Sequence, residues 1–248
     1  MDGNVKETAE EVKKQKYIPT VSAVLGDGAI VETVYRPNEV QTAFVLSRGD
    51  QWKYETSIPI TPRERLVPYS PNNNLIKHGV ILFPSEPMEH DSEEQLLHEI
   101  QSFIHQYVDV SPLFEKIATY YVLLTWVFDS FSELPYLRLR GDPRSGKTRF
   151  LLIVGSICYK PMFASGASTV SPLFRIIDIF RGTLIIDEGD FKASTEHVEV
   201  IKILNNGNAQ GFPVLRSEST PKESLTRERS QSLAQSSLPR EDSFRIGR

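Results

Sequence analysis

The hydrophobic and polar positions of this chain follow one period before residue 90 and another after it. Residues 17–87 contain short runs of β-branched and aromatic residues separated by glycine, proline, asparagine and aspartate, a pattern typical of strands and turns. The clearest predicted strands are 29–35, 42–46 and 78–83. A charged segment without aromatic residues precedes them at 1–16 and is expected to be a flexible arm. The sequence therefore predicts a small β-rich unit behind this arm.

Helical spacing starts after Asp91. Ser92 is in position to cap a helix whose apolar residues recur every three to four positions. Those residues are Leu96, Leu97, Ile100, Ile104 and Val108. A second helix is predicted from about Ser111, and its run Tyr120–Phe128 is apolar nearly all round. We therefore expect that run to be buried between the β-rich unit and the part of the chain that follows.

Strands and helices alternate from Tyr136 onward. Helices are predicted at 148–158, 172–180 and 196–205, and strands at 136–140, 161–164, 182–187 and 212–216. Such alternation is typical of a parallel sheet with helices on both faces. The sequence therefore predicts a helical lead-in and an α/β domain over 91–216. The serine-rich segment 217–248 has no apolar periodicity and is expected to be a disordered tail.

One loop in the α/β region has the complete pattern GxxxxGK[ST] of a phosphate-binding loop, directly behind the predicted strand 136–140. Its residues are Gly141, Asp142, Pro143, Arg144, Ser145, Gly146, Lys147 and Thr148, and Arg149 follows. The glycines leave room for backbone N–H groups around a β-phosphate, while Lys147 can reach the β- and γ-phosphates. Thr148 can place its hydroxyl on Mg²⁺ at the start of a helix whose dipole favours anions. ATP and Mg²⁺ are the predicted ligands, and a chance glycine-rich turn is the alternative.

A second candidate site lies about forty residues further along, where an apolar run ends in Asp187 and Glu188. A run of this kind predicts a buried parallel strand. Asp187 at its end is a candidate Mg²⁺ ligand, and Glu188 is placed to polarise a water for attack on the γ-phosphate. The alternative for the pair is a solvated turn. Glu188 favours hydrolysis over phosphoryl transfer, so a P-loop ATPase is expected, with a non-hydrolysing nucleotide-binding module and a P-loop kinase as the other readings.

Composition narrows the class of protein only modestly. The chain has 248 residues, 40% of them hydrophobic, with a formal charge of −4, which leaves room for one good core and a smaller second unit. Cys158 is the single cysteine and is expected to be inert in the core, so a reducing, cytoplasmic location is expected. The histidines are scattered without partners at ligand spacing. No apolar stretch is long enough to span a bilayer, so no membrane association is expected.

Residues 105–216 resemble a family of AAA+-like ATPases found beside primases in phages, plasmids and integrated mobile elements, akin to superfamily-three helicases. The stretches that carry the resemblance are Thr125–Trp126, Leu134–Leu137, Lys147–Arg149, Phe174–Asp178, Gly182–Phe191 and Leu204–Gly207. The resemblance implies a P-loop NTPase fold and ATP hydrolysis coupled to movement on DNA as a homo-oligomeric ring. It also puts Arg216 in place of a DNA-facing hairpin, although a solvated arginine is equally compatible with the sequence.

The chain departs from this family after Arg216. The family continues with a further strand, a polar sensor and an arginine finger, and none of these is found here, so the ATPase core is expected to be truncated. Residues 225–235 are compatible with a one-nucleotide frame slip, a hypothesis that the gene's nucleotides would decide. In this family the missing strand lies between the phosphate-loop strand and the carboxylate strand. Each orphaned backbone group would cost about 1–3 kcal/mol, so weak folding and little turnover are expected unless 212–216 fills the gap.

Overall fold

The computed structural model describes residues 15–142, 144–165 and 170–187, and it is a mixed α/β chain. Several predictions fall wholly or partly outside the described residues. They are the arm at 1–14, Pro143, Glu188, the elements at 196–205 and 212–216 with Arg216, and the tail at 217–248.

Seven short strands form the first part of the chain, and both predicted runs 29–35 and 42–46 are strands. The strands are β1 (Lys16–Thr20), β2 (Ser22–Val24), β3 (Ile30–Arg36), β4 (Gln41–Arg48), β5 (Gln51–Glu55), β6 (Ile58–Thr61) and β7 (Glu64–Pro68). One antiparallel sheet has the order β2-β3-β4-β5, and a mixed sheet has the order β1-β7-β6, with β1 parallel to β7. Phe44 and Val31 are completely buried in the core of this unit. Val34, Ala43 and Val45 form a second buried cluster, so the central strand β4 is buried on both faces of the larger sheet.

Helices dominate the second part. They are α1 (Asn74–Lys77), α2 (Glu93–Tyr107), α3 (Pro112–Trp126), α4 (Lys147–Ser156) and α5 (Val170–Phe180), with a 3₁₀ turn at Phe128–Ser130. Ser92 caps α2 as predicted, since its side chain accepts a hydrogen bond from the Gln95 N–H at 3.1 Å. Ile104 and Val108 from the predicted face of α2 pack with residues of α3 and α4 in one buried cluster. Cys158 is also buried in that cluster, and burial raises its pKa to about 11.

The prediction that the run 120–128 is buried was wrong in part. Val122 and Thr125 are buried, whereas Tyr120, Trp126 and Val127 remain about half exposed. The reason is geometric, because the packing of α3 against α2 and α4 buries residues such as Ala118 and Val122 and leaves Tyr120, Trp126 and Val127 partly open to solvent. A helix with hydrophobic residues on all sides can be buried on all sides, but how much of it is buried depends on which elements pack against it.

Two parallel strands follow α4, as the alternating pattern predicts. They are β8 (Met162–Ser165) and β9 (Leu184–Asp187), and they pair in register from Met162 with Leu184 to Ser165 with Asp187. Helix α4 lies directly on this pair. A Cβ on Gly155 would lie 3.0 Å from the Ile185 side chain and 3.1 Å from the Phe163 ring, so the absence of a side chain lets the helix pack closely on the strands.

The predicted strand at 78–83 is not a full strand. It contributes a single antiparallel bridge, Ile81 to Met162, with hydrogen bonds from Leu82 N–H to the Pro161 carbonyl and from Phe163 N–H to the Val80 carbonyl. The segment therefore borders β8 on the side away from β9. A connection leaving the β-rich unit closes one edge of the small parallel sheet.

The strand predicted at 136–140 forms no ladder with any described strand. Its side chains nevertheless alternate, with Leu137 and Leu139 packed against the helical cluster and Tyr136, Arg138 and Arg140 exposed. The alternating side chains thus fit the predicted extended segment, but the segment pairs with no described strand. Alternation is a property of one segment, whereas a ladder requires a neighbour of matching register.

The β-rich unit and the α/β region share a core, so they are not packed independently. Val21 and Ile81 from the first part lie in one buried cluster with Met162 and Phe180 from the second. The Tyr69 and Phe180 rings lie 5.3 Å apart in the same cluster. Continuous apolar packing of this kind fixes the orientation of one part relative to the other.

A Gly182→Ala substitution should destabilise the protein by about 1–3 kcal/mol because the position is overpacked. The added Cβ would lie 2.1 Å from the carbonyl oxygen of Lys160, which is backbone and cannot rotate away. Chemical denaturation measures the change. The matched control is Gly26→Ala, where no atom lies within 4 Å of the new Cβ. Equal stability of the two variants would contradict the close approach of these segments.

Candidate phosphate-binding site

The loop at 141–148 depends on its two glycines for different reasons. Gly146 has φ +85° at the N-cap of α4, a conformation that side chains with a Cβ rarely adopt. At Gly141 an added Cβ would lie 2.8 Å from the Ser145 hydroxyl oxygen, so a side chain there would require the Ser145 side chain to move. Arg144 also has a positive φ, +70°. The chain thus turns tightly into α4, and the first N–H groups of this helix lie at the loop.

Lys147 lies against the loop that precedes it. Its ammonium group donates hydrogen bonds to the carbonyl oxygens of Gly141 and Asp142, the latter at 3.3 Å. These contacts hold the positive charge beside the N-terminus of α4, where the helix dipole also favours anions. The loop therefore combines a lysine with backbone donors, the chemistry that phosphate groups require.

Thr148 joins the loop to the second candidate site. Its hydroxyl donates a hydrogen bond of 2.8 Å to Oδ2 of Asp187, the last residue of β9. Thirty-nine residues separate these two side chains in the sequence. The structure therefore brings the predicted metal ligands together.

A hydroxyl and a carboxylate are hard oxygen ligands suited to Mg²⁺. Among the described residues, no group of three or more histidines, cysteines or acids could hold a metal ion. In nucleotide sites Mg²⁺ is usually held by one or two protein oxygens together with the substrate's phosphates and water, and Thr148 and Asp187 could supply such oxygens.

A cleft of about 820 Å³ opens beside the loop. One wall is formed by Gly141 and residues 144–147 of the loop, and another by residues 105–111, which are the end of α2 and its connection to α3. Tyr107, Val108 and Phe114 give that wall an apolar part. The cationic side chains that line the cleft are Arg138, Arg140, Arg144, Lys147 and Arg149. Asp109 is the single acid among the residues that line it.

A buried carboxylate supports the wall at 105–111. Glu115 of α3 accepts a hydrogen bond of 2.7 Å from the Gln101 amide and lies 2.8 Å from Nδ1 of His105. The hydrogen bonds from Gln101 and His105 lower the pKa of the Glu115 carboxyl below its ordinary value. The cluster therefore joins α2 to α3 at the place where the cleft begins.

The lowered pKa of Glu115 predicts how stability depends on pH. The unfolded chain binds a proton on this carboxyl more readily than the folded chain, so its contribution is present above pH 4.5 and is lost as the pH falls through the folded value. A Glu115→Gln variant should lose about 1–2 kcal/mol at neutral pH and show a flatter acid limb. Denaturation at a series of pH values tests this. Glu86→Gln, at an exposed position, is the control, and an unchanged acid limb in Glu115→Gln would contradict the assignment.

Sequence reasoning found the loop and Asp187 but missed the wall at 105–111. Arg149 lies in the cleft next to the loop, while Pro143 and Glu188 lie outside the described residues. Arg138 and Arg140 could have indicated that one face of the segment 136–140 is open to solvent, because a strand that is covered on both faces ordinarily carries apolar residues at such positions. The pair Thr125–Trp126, which carries part of the resemblance, has a packing role. The Trp126 indole N–H donates a hydrogen bond of 3.0 Å to the Ile157 carbonyl, just beyond α4.

Comparisons of the chain with protein-family models, with characterised proteins and with solved structures gave no match. Any inference of function therefore depends on the residues of the site. No helix within the described part of the chain is long and apolar enough to cross a membrane.

Proposed function

We propose that this chain is a P-loop ATPase with an AAA+-like nucleotide-binding core that binds ATP and Mg²⁺ at the loop 141–148. The observation that carries the proposal is the 2.8 Å hydrogen bond between the Thr148 hydroxyl and the Asp187 carboxylate. It joins a complete phosphate-loop sequence to the acid at the end of a parallel strand. The coincidence of sequence pattern and spatial contact favours a nucleotide site over a chance glycine-rich turn.

Each residue of the site has a role that follows from its chemistry. The N–H groups that open α4 and the Lys147 ammonium bind the phosphates, and the Thr148 hydroxyl and Asp187 carboxylate hold Mg²⁺. When bound, Mg²⁺ neutralises charge that develops on the transferred phosphoryl group. Glu188 follows Asp187 in sequence, and we propose that it orients and deprotonates the attacking water. The apolar side of the cleft, with Tyr107 and Val108, is suited to the nucleoside.

The resemblance adds a proposal about partners. An ATPase of this class acts on DNA as a homo-oligomeric ring, and Arg216 would contact a DNA phosphate. The cytoplasm is the proposed location, in keeping with a lone buried thiol at Cys158.

One observation favours a second candidate, a nucleotide-binding module with little or no hydrolysis. The segment 136–140 ahead of the loop pairs with no described strand, and β9 pairs only with β8 among the described strands. A phosphate loop that is anchored on one side by helices alone is held less rigidly than one that extends a paired strand. ATP binding could then persist while turnover is slow.

Isothermal titration with ATP and a phosphate-release assay, each with Mg²⁺ and with chelator, test the proposal. We expect the wild-type chain to bind ATP in a magnesium-dependent manner and to release phosphate. A Glu188→Gln variant should keep the affinity and lose at least about tenfold in turnover, since general-base catalysis contributes roughly 10²–10⁴-fold. Glu86→Gln is the matched control because its carboxylate is exposed elsewhere on the surface.

Other outcomes separate the alternatives. ATP binding without phosphate release in either protein would support the non-hydrolysing module. Transfer of label from radioactive ATP to an added acceptor, in place of free phosphate, would support a P-loop kinase. An absence of ATP binding by the wild-type chain would overturn the proposal.

A further inference from the structure

One side of helix α3 and of the turn that follows it carries a continuous row of apolar residues, which we call the α3 seam. Its members alternate in spacing between four and three residues, and they are Leu113, Ile117, Tyr120, Leu124, Val127 and Phe131. Leu113 is 71% exposed, Leu124 is partly buried, and the other four are 45–50% exposed. A continuous row of exposed apolar side chains marks an interaction surface.

The seam is not the face by which α3 joins the core of its own chain. The buried residues of α3 are Glu115, Ala118, Thr119, Val122 and Thr125. At about 100° per residue, they lie on the side of the helix opposite to the seam. Helix α2 has the usual arrangement of a surface helix, since its exposed positions include Glu94, His98 and Gln106. The folding of one chain therefore explains one apolar face of α3 and does not explain the other.

The spacing of the seam defines the kind of surface that fits it. Alternation of four and three residues repeats every seven residues, the pattern by which two helices pack along their length at about 20°. The seam of a second copy has this same spacing. In an antiparallel alignment the level pairs are Leu113 with Phe131 of the second copy, Ile117 with Val127, and Tyr120 with Leu124. All of these pairs are centred on Val122, so one two-fold axis matches the whole seam.

Charge selects the antiparallel direction. Helix α3 has two charged residues, the buried Glu115 and the exposed Lys116, which flanks the seam with its ammonium 6.0 Å from the Tyr120 ring centre. The antiparallel alignment places Lys116 level with residue 128 of the second copy, just past the end of α3, where the helix dipole favours a cation. Helix α3 has no basic residue in its own last turn. A parallel alignment would instead place the two Lys116 ammonium groups side by side, where they repel each other.

We propose that two copies of this chain associate through their α3 seams, as an antiparallel pair of helices about a two-fold axis. The contact uses the same surface on both copies, so it closes at two and differs from the head-to-tail contact that a ring requires. It uses no residue of the loop 141–148, so it does not depend on bound nucleotide.

Sedimentation velocity of the full chain without nucleotide, over about 1–100 μM, tests the association. We expect a reversible equilibrium between monomer and dimer. Ile117→Glu should weaken the dimer at least about tenfold, because the contact would bury a carboxylate without a partner. The matched control is Ile179→Glu on α5, where the same residue type is 44% exposed, compared with 45% for Ile117. The control should dimerise within about twofold of the wild type.

Cross-linking of single-cysteine variants tests the direction of the helices. The native Cys158 is buried and its pKa is raised to about 11, so it reacts poorly. At 1.5 Å per residue, the two copies of position 120 lie about 6 Å apart along the axis of the pair, and the two copies of position 113 about 27 Å apart. A short bismaleimide should therefore join two chains of Tyr120→Cys and should not join two chains of Leu113→Cys. Labelling with a monofunctional maleimide confirms that both introduced thiols react.

Three results would overturn the proposal. The first is a wild type that stays monomeric at the highest concentration, in which case a segment of the same chain would cover the seam. The second is an Ile117→Glu variant that dimerises as tightly as the wild type, and the third is cross-linking of Leu113→Cys as efficient as that of Tyr120→Cys. Thermal unfolding checks that each variant folds, and cross-linking still decides the matter if Ile117→Glu does not. Titration with ATP bears on the ATPase proposal alone.

Discussion

Lys147→Ala is expected to weaken ATP binding by roughly 30-fold or more. The substitution removes a charged hydrogen-bond donor from bound phosphate, a loss that typically costs about 2–5 kcal/mol. The same ammonium also ties the carbonyls of Gly141 and Asp142 together, so the variant loop loses its internal support as well. Isothermal titration in the presence of Mg²⁺ measures the change in affinity.

Two control variants separate the role of Lys147 from charge alone. Lys77→Ala removes an exposed ammonium outside the cleft and should leave ATP affinity within about twofold of the wild type. Asp187→Asn should weaken binding chiefly through its dependence on Mg²⁺, because Asp187 accepts a hydrogen bond from Thr148, the other proposed magnesium ligand. If Lys147→Ala bound ATP as the wild type does, the loop would not be a phosphate site.

The second large effect is expected at the junction between the two parts of the chain. Lys160 is only 1% exposed, and its ammonium lies 2.8 Å from Glu32 of β3. The Tyr159 hydroxyl donates to the same carboxylate at 2.7 Å. Burial lowers the pKa of Lys160 and raises that of Tyr159. The Lys160 ammonium also donates a hydrogen bond to the Tyr159 hydroxyl, so Glu32 supplies the negative charge of a connected group of three side chains.

A Glu32→Ala variant should therefore lose about 2–3 kcal/mol of stability, because it leaves the Lys160 ammonium buried without its counter-charge. The value lies below that of fully buried pairs since the Glu32 side chain is 33% exposed. Chemical denaturation measures it.

Lys160→Met is the informative comparison. An apolar side chain of similar length fills the same space, and Glu32 keeps its solvent contact and the Tyr159 hydrogen bond, so the loss should be about 1 kcal/mol or less. A Glu32→Ala/Lys160→Met protein should be more stable than Glu32→Ala. If the methionine variant were as unstable as Glu32→Ala, the ion pair itself would be essential, and the desolvation argument would be wrong.

The elements that sequence reasoning located well are those defined by local spacing. Ser92 caps α2, Cys158 is buried, and β8 and β9 form a parallel pair, because each depends on residues a few positions apart or on a run of one character. The phosphate-loop sequence belongs to the same group. Its glycines are explained by the positive φ of Gly146 and the crowding at Gly141, which are constraints within eight residues.

The misjudged features depend on which distant segments meet. Residues 136–140 alternate as a strand does, yet no described strand pairs with them. Helix α3 has apolar residues on every side, but Tyr120 and Trp126 lack a covering element. Lys160 gave no sequence signal of burial, since lysine is ordinarily exposed and its partner Glu32 is 128 positions away in the numbering.

For this protein, the sequence by itself predicted the phosphate-loop pattern at 141–148, the helices α2, α3, α4 and α5, and the inward-facing residues of α2. Only the tertiary structure decided that Thr148 meets Asp187, that the β-rich unit shares a core with the α/β region, and that four arginines surround one cleft. The physical reason is the distance along the chain over which each effect acts. Backbone propensity and side-chain periodicity act over a few residues, whereas contacts between distant segments arise from packing that no single stretch of sequence encodes.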